Sequence, residues 1–255
     1  MTQLEVTFTP AEFELLRQRD LTGCACVVFD VLRATSTMIT ALARGAESVL
    51  PVASIAEALA CRSADPAALL AGERDGLRIT SAATGGVDFD LGNSPREYTS
   101  ERVRGRRIVT TTTNGTRALA ACRGARHVFA AAFLNLKRTA EQVVRSRCPE
   151  VVLVCSGTGE NVAFEDCLGA GAFCRLLRKF DPGIHFTDSA FFAADLYAAN
   201  AGDLEGSLEK SSNAQRLLSL PALRDDVAFC LTENLYPIVA AADPAGRLYR
   251  ADIDS

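Results

Sequence analysis

Residues Cys26–Gly45, CVVFDVLRATSTMITALARG, decide how the chain is read. Val27 to Phe29 is an uninterrupted apolar run of the kind buried on both faces of a sheet, and Asp30 stands where that strand should end. Arg33, Thr35, Ser36 and Thr37 follow, then Met38 to Arg44 has helical spacing and Gly45 closes it. A strand thus passes through a hydroxyl-rich turn into a helix N-terminus. Ligands of open α/β sheets bind at that edge, where anions meet free backbone N–H groups and the positive end of a helix dipole. Two readings stand: Asp30, Arg33 and the hydroxyls handle a phosphate with a metal ion, or Asp30 and Thr35 cap the helix.

Strands and helices alternate on either side. Leu4 to Phe8 and Ser48 to Val52 read as strands; Thr9-Pro10 with Glu12 opens one helix, and Ser54 with Glu57 is a capping box opening another that runs to about Ser63. Ala67 to Ala71 returns to the sheet. Short connections between such elements predict an α/β fold, a largely parallel or mixed sheet covered by helices on both faces. Two α/β halves are expected: residues 1–125 with the phosphate and metal loops, and residues 126–255 completing the site.

From Gly72 to Pro95 both periods vanish, and a long irregular stretch with Glu73 and Arg74 at its start and Asp90, Asn93 and Ser94 at its end is expected to be functional. Arg107 to Thr111 is a strand that runs through Thr112, Thr113, Asn114 and Gly115 into a helix. Val151 to Cys155 does the same through Ser156 and Gly157, and Glu165 and Asp166 fall in the first turn of the helix beyond, where carboxylates suit the dipole. His127 to Ala131 is a short strand and Leu136 to Arg147 an amphipathic helix. Helices at about 189–200 and onward through Leu218 suggest a cap or interface, and segments 236–241 and 248–250 a closing hairpin.

At 255 residues, 48% hydrophobic and 23% charged, the chain can bury a full core. A net charge of −4 leaves no Lys/Arg stripe for a nucleic-acid backbone. No apolar run approaches membrane-spanning length, and MTQLEVTFTP lacks the regions of a signal peptide. Nine cysteines, odd in number and set largely in apolar runs, predict buried thiols in a reducing cytoplasm. Cys24-Ala-Cys26 has the wrong spacing for zinc, and two histidines are too few for a Cys/His centre.

Hydroxyl-rich helix mouths together with Asp30, Glu73, Asp90, Glu165 and Asp166 suit a phosphate and oxygen-ligated magnesium better than a soft metal. The common phosphate schemes are missing. There is no Gly-x-x-x-x-Gly-Lys-Ser/Thr and no Gly-x-Gly-x-x-Gly after a strand. Leu32 occupies the place of the second acid in a haloacid-dehalogenase-type phosphatase, and Asn161 that of the arginine in a cysteine phosphatase.

FDVLRATST, GERDG with FDLGNSP, TTTNGT, and CSG followed by FEDCLGAG, in that order and spacing between Asp30 and Gly171, resemble the 2-phosphosulfolactate phosphatase family. The resemblance implies magnesium-dependent hydrolysis of the phosphate ester of 2-phospho-3-sulfolactate, a step in coenzyme M formation. Carried onto this chain, it agrees with the residue chemistry in placing Mg2+ at Asp30, Glu73 and Asp90, with Arg33 and Arg74 clamping the phosphate or a second anionic group. Thr35, Ser36, Asn93, Ser94, Thr112, Thr113, Asn114, Gly115, Ser156, Gly157 and Glu165 are expected at the substrate. The attacking group is a magnesium-bound water or a carboxylate such as Asp30. The chain departs from the family pattern at Thr158-Gly159-Glu160-Asn161, where a Gly-Arg ending is usual, and at Asn213-Ala214-Gln215, where the turn is usually richer in glycine. The alternatives are a phosphatase for another small phosphorylated acid and a non-catalytic binding protein for a phosphorylated or sulfonated metabolite. The expected partners are a small anionic substrate and a second copy of the chain, through apolar surface at Phe191 to Tyr197, with no nucleic acid and no membrane.

Overall fold

Cys24–Phe29 is buried at every position because it has parallel partners on both sides and helices over both faces. In the computed structural model, which describes residues 1–251, this strand lies deep in a single eleven-stranded sheet. The chain forms β1 (Gln3–Thr7), α1 (Phe13–Gln18), β2 (Cys24–Phe29), α2 (Ala34–Ala43), β3 (Ser48–Pro51) and α3 (Ile55–Ala64). Next come β4 (Leu69–Arg74), β5 (Leu77–Arg78), α4 (Ser81–Thr84), α5 (Ser100–Val103), β6 (Arg107–Thr111) and α6 (Gly115–Ala121). β7 (His127–Ala131), α7 (Leu136–Ser146), β8 (Glu150–Cys155), α8 (Phe164–Phe180), β9 (His185–Phe186) and α9 (Asp188–Asn200) follow. The chain ends with α10 (Leu204–Ser207), α11 (Ser212–Ser219), α12 (Arg224–Cys230) and the hairpin of β10 (Val239–Ala242) and β11 (Leu248–Ala251).

The strand order is β5-β4-β6-β3-β11-β10-β7-β2-β8-β1-β9. Two blocks are parallel within themselves, β4-β6-β3 and β7-β2-β8-β1-β9. The antiparallel hairpin β10/β11 joins them, pairing with β7 on one side and with β3 on the other. The fold is therefore α/β, with a mixed, mostly parallel sheet. Ala25, Val27 and Phe29 of β2 enter one core with residues of α7, α8 and α9, while Cys24, Cys26 and Val28 enter another with residues of α1, α2 and α6. Strands from either side of residue 125 interleave, β2 lying between β7 and β8, so residues 1–125 and 126–255 share one sheet. No helix among the described residues is long and apolar enough to cross a membrane.

Several elements differ from the sequence reading, among them the short β9 and α4, which it did not contain. The stretch after Gly72 is ordered at its start: β4 runs on to Arg74 and turns back through Asp75 and Gly76, at φ of 54° and 80°, into β5. Asp-Gly with both residues left-handed is the tight hairpin turn that matches strand twist. α2 begins at Ala34, a turn before Met38, because the hydroxyls ahead of Met38 bond to nearby backbone carbonyls. α12 was not anticipated.

Candidate active site

The carboxyl ends of β2, β4 and β6 open on a cleft of about 290 Å3 whose walls include Asp30, Arg33, Glu73, Thr112, Thr113 and Asn114. The two parallel blocks run in opposite senses across the hairpin, yet the end of β2 meets those of β4 and β6 at this cleft. The contact is close. A Cβ on Gly115, at the start of α6, would lie 2.7 Å from Ala34 Cβ and 2.8 Å from Asp30 Oδ2.

Asp30 is buried at the end of β2, and its Oδ1 accepts from the Ala34 N–H at 2.9 Å. Oδ2 accepts no protein hydrogen bond among the described residues. Burial, and after it the negative charges of Glu73 and Glu165, push the Asp30 carboxyl up to about 7, against the Ala34 hydrogen bond and the Arg33 cation. Oδ1 therefore serves the start of α2, as the capping reading expected, while Oδ2 is left facing the cleft lining without a protein donor.

Glu73 ties the β4–β5 turn to the loop after β6. Its Oε2 accepts from the Gly76 N–H at 2.8 Å, and its Oε1 from the Thr113 N–H at 3.0 Å and the Thr113 hydroxyl at 3.1 Å. Thr112 Oγ1 and Asn114 Oδ1, in the same loop, are buried with no hydrogen-bond partner. Buried polar atoms are normally satisfied, so two such atoms on residues that line one cleft point to a ligand there.

Arg33, which follows a cis peptide bond, is 4% exposed, and each of its terminal guanidinium nitrogens has one protein partner. Nη1 pairs with Asp226 Oδ2 at 2.7 Å and Nη2 donates to the Gly76 carbonyl at 2.7 Å. Asp226, on α12, also accepts from the Ser94 hydroxyl at 2.7 Å and has no exposed surface. No sequence spacing could have found it, because 193 residues separate it from Arg33.

The cleft gathers Asp30, Arg33, Glu73, Asn93, Thr112, Thr113 and Asn114. Other candidates lie elsewhere. Asp90 pairs with Arg62 and accepts from the Leu70 N–H at 2.7 Å, outside the cleft. Arg74 donates to the Glu73 carbonyl at 2.6 Å and to Thr111 Oγ1 at 3.2 Å, bracing the sheet edge. Thr35 and Ser36 are fully buried, and their hydroxyls bond to the carbonyls of Asp30 and Val31. Ser94 bonds to Asp226, and Gly157 donates its N–H to Asp166 Oδ2 at 3.2 Å. Ser156 Oγ is buried without a partner, and Ser156 does not line the cleft. Glu165 lies behind the wall, accepting from Ser211 Oγ at 2.6 Å and Asn213 Nδ2 at 2.9 Å. Asp166 Oδ1 accepts from the Val31 N–H at 2.8 Å; burial first, then Asp30 and Glu165, push its carboxyl well above the usual range. Cys155 is fully buried, and burial raises its thiol well above the ordinary value, so it is no thiolate nucleophile. Asp75, Thr158, Gly159, Asn213 and Arg216 also line the cleft, and sequence reasoning assigned none of them a role there.

This arrangement defines an α/β protein with a polar cleft at the carboxyl edge of its strands, where a titratable carboxyl shares the lining with hydroxyl, amide and guanidinium groups. The family described as 2-phosphosulpholactate phosphatase matches residues 11–244. A Thermotoga petrophila protein named probable 2-phosphosulfolactate phosphatase is 42% identical over 84% of this chain and 86% of its own. Proteins of the same name from Carboxydothermus hydrogenoformans and Synechocystis are 37% and 38% identical, over 96% and 89% of this chain and 94% and 91% of theirs. The chain belongs to the 2-phosphosulfolactate phosphatase family, and it is a phosphoric monoester hydrolase.

Proposed function

We propose that the chain hydrolyses 2-phospho-3-sulfolactate to 3-sulfolactate and phosphate with the help of magnesium held at Asp30. The observation that best supports this reading is the meeting of Asp30 with the unpartnered Thr112 and Asn114 atoms in one cleft. Water adds to phosphorus, the ester P–O bond breaks, and the leaving alkoxide takes up a proton. The Thr112 hydroxyl and the Asn114 side-chain NH2 donate to phosphoryl oxygens, whose charge Arg33, held by Asp226, balances; Thr113, expected there too, has given both its N–H and its hydroxyl to Glu73 and braces the loop instead.

The donor set fits a hard cation with few protein ligands. Asp30 Oδ2 is free of protein donors, and Glu73, with three accepted bonds on its two oxygens, retains about one acceptor site. Asp90 contributes nothing, and no three acidic, histidine or cysteine side chains among the described residues gather into a metal cage. Magnesium characteristically takes one or two carboxylates and completes its shell with water and substrate oxygens. Bound there, it supplies charge neutralisation and polarisation of the phosphoryl group.

Phosphate release from racemic 2-phosphosulfolactate, with magnesium and then with EDTA, tests this. Release that disappears with EDTA is expected; release indifferent to EDTA contradicts the metal, and release from other phosphorylated acids alone contradicts the substrate. The proposal extends to coenzyme M formation, by the family resemblance, and to a reducing cytoplasm, since all nine cysteines are free thiols. It extends also to a homodimer through the face carrying Phe191 and Phe192, 47% and 62% exposed beside the edge strand β9. A wild-type protein sedimenting as a monomer would contradict the pairing.

A further inference from the structure

Two guanidiniums line the cleft, and they are not equivalent. Arg33 is matched by the buried carboxylate of Asp226. Arg216, on α11, has no carboxylate within 4.0 Å among the described residues, and it is the only cation lining the cleft of which that is true. Its single side-chain hydrogen-bond acceptor among the described residues is Asn213 Oδ1, at 2.8 Å from Nη2. Asn213 is itself fixed, since its Nδ2 donates to Glu165 Oε1 at 2.9 Å and to the Leu32 carbonyl, and Glu165 is held by Ser211. The guanidinium is therefore steered by a buried amide while its charge is left uncompensated. It lies against the β4–β5 turn, with Nη1 3.1 Å from where a Cβ of residue 76 would stand.

The rest of the lining makes that charge matter. Asp30, Glu73 and Asp75 all face the cleft, so a substrate carrying acid groups besides its phosphate meets repulsion unless a free cation offsets it. Arg74, expected to be the second clamp, is tied to Glu73 and Thr111 and does not line the cleft. We infer that Arg216, steered by Asn213, is the receptor for a non-reacting acid group of the substrate, its planar fork donating to a sulfonate or carboxylate next to the phosphate-bearing carbon. This rests on the function proposed above, and it makes Arg216 a specificity-determining residue whose contact is made in the ground state as in the transition state.

The test compares wild type, Arg216→Gln and Arg216→Lys on four esters: 2-phosphosulfolactate, 2-phospholactate without the sulfonate, 1-sulfopropan-2-yl phosphate without the carboxylate, and isopropyl phosphate with neither. Arg216→Gln is expected to raise KM for 2-phosphosulfolactate on the order of 10- to 100-fold, the worth of charge-assisted hydrogen bonds, with kcat and melting temperature little changed. Lysine restores part of the loss, having the charge without the fork. The loss vanishes on isopropyl phosphate and on whichever singly acidic ester lacks the bound group, which tells sulfonate from carboxylate. An equal loss on isopropyl phosphate, or no loss on any ester, overturns the inference. A wild type that ignores 2-phosphosulfolactate yet turns over 2-phospholactate overturns the substrate proposed above, and Arg216 is then judged on 2-phospholactate against isopropyl phosphate. A wild type inactive on all four overturns both.

Discussion

At Asp30, folding stability and the proposed activity pull in opposite directions. Its carboxyl is pushed up to about 7 in the folded state against 3.8 ordinarily, so between those values the folded protein binds a proton that the unfolded chain releases. The stability that goes with the neutral carboxyl is fully present below pH 3.8 and is lost as the pH rises through about 7. Asp30→Asn keeps the Oδ1 acceptor for Ala34 and removes the buried charge. The variant should melt above wild type at pH 8.5 in the absence of metal, and the gap should close toward pH 4; scanning calorimetry at the two pH values checks this. Asp226 is the opposite case. Asp226→Ala leaves Arg33 buried without its counter-ion, a change that typically costs about 3–5 kcal/mol, readable as a fall in the urea midpoint. Asp30 was legible in the sequence because a charge ending an apolar run is conspicuous. Asp226 was not, because its significance lies entirely in a partner from another part of the chain.

At the scale of elements, local chemistry decided what could be read. β6 and β7 begin and end where the apolar runs predicted, and the Ser54 hydroxyl caps α3 by accepting from the Glu57 N–H at 3.1 Å. The hydroxyls of α2 were misplaced for a physical reason: threonine and serine near a helix start can satisfy the backbone as readily as a ligand, and Thr35, Ser36 and Thr37 do so. The β4–β5 turn was missed because a two-residue strand has no period to detect. Its Asp75-Gly76 pair was the available signal. That turn positions three groups of the site, since Gly76 donates to Glu73, accepts from Arg33 and lies under Arg216. Gly76→Ala places a side chain at φ of 80° and against Arg216. It should destabilise by about 1–3 kcal/mol in urea unfolding and raise KM.

For the whole molecule, the decisive feature is the order of strands. Fold class was readable from alternation, since strand–helix alternation with short loops demands a largely parallel sheet. The interleaving of the two sequence halves was not, because strand neighbours depend on which edges meet in space. The C-terminal hairpin was predicted as a hairpin, yet nothing local indicated that it would join two parallel blocks. A chain ending at residue 237 would leave β3 and β7 as unpaired edges. The full chain is expected to melt in one cooperative transition and the truncated chain is not, and a truncated chain that melts cooperatively at the full-length temperature would show the joining role to be wrong.

The ends of β2, β4 and β6 meet at one cleft, and the account stands on the proposal that Asp30 there is the catalytic carboxylate. The most direct test is kcat for magnesium-dependent phosphate release by wild type, Asp30→Asn and Asp90→Asn, each first shown to be folded. Asp30→Asn should lose about 100-fold or more, and Asp90→Asn, whose carboxylate is taken by Arg62 outside the cleft, should keep kcat near wild type. An Asp30→Asn enzyme within a few fold of wild type, or a folded Asp90→Asn enzyme without activity, would place the chemistry elsewhere.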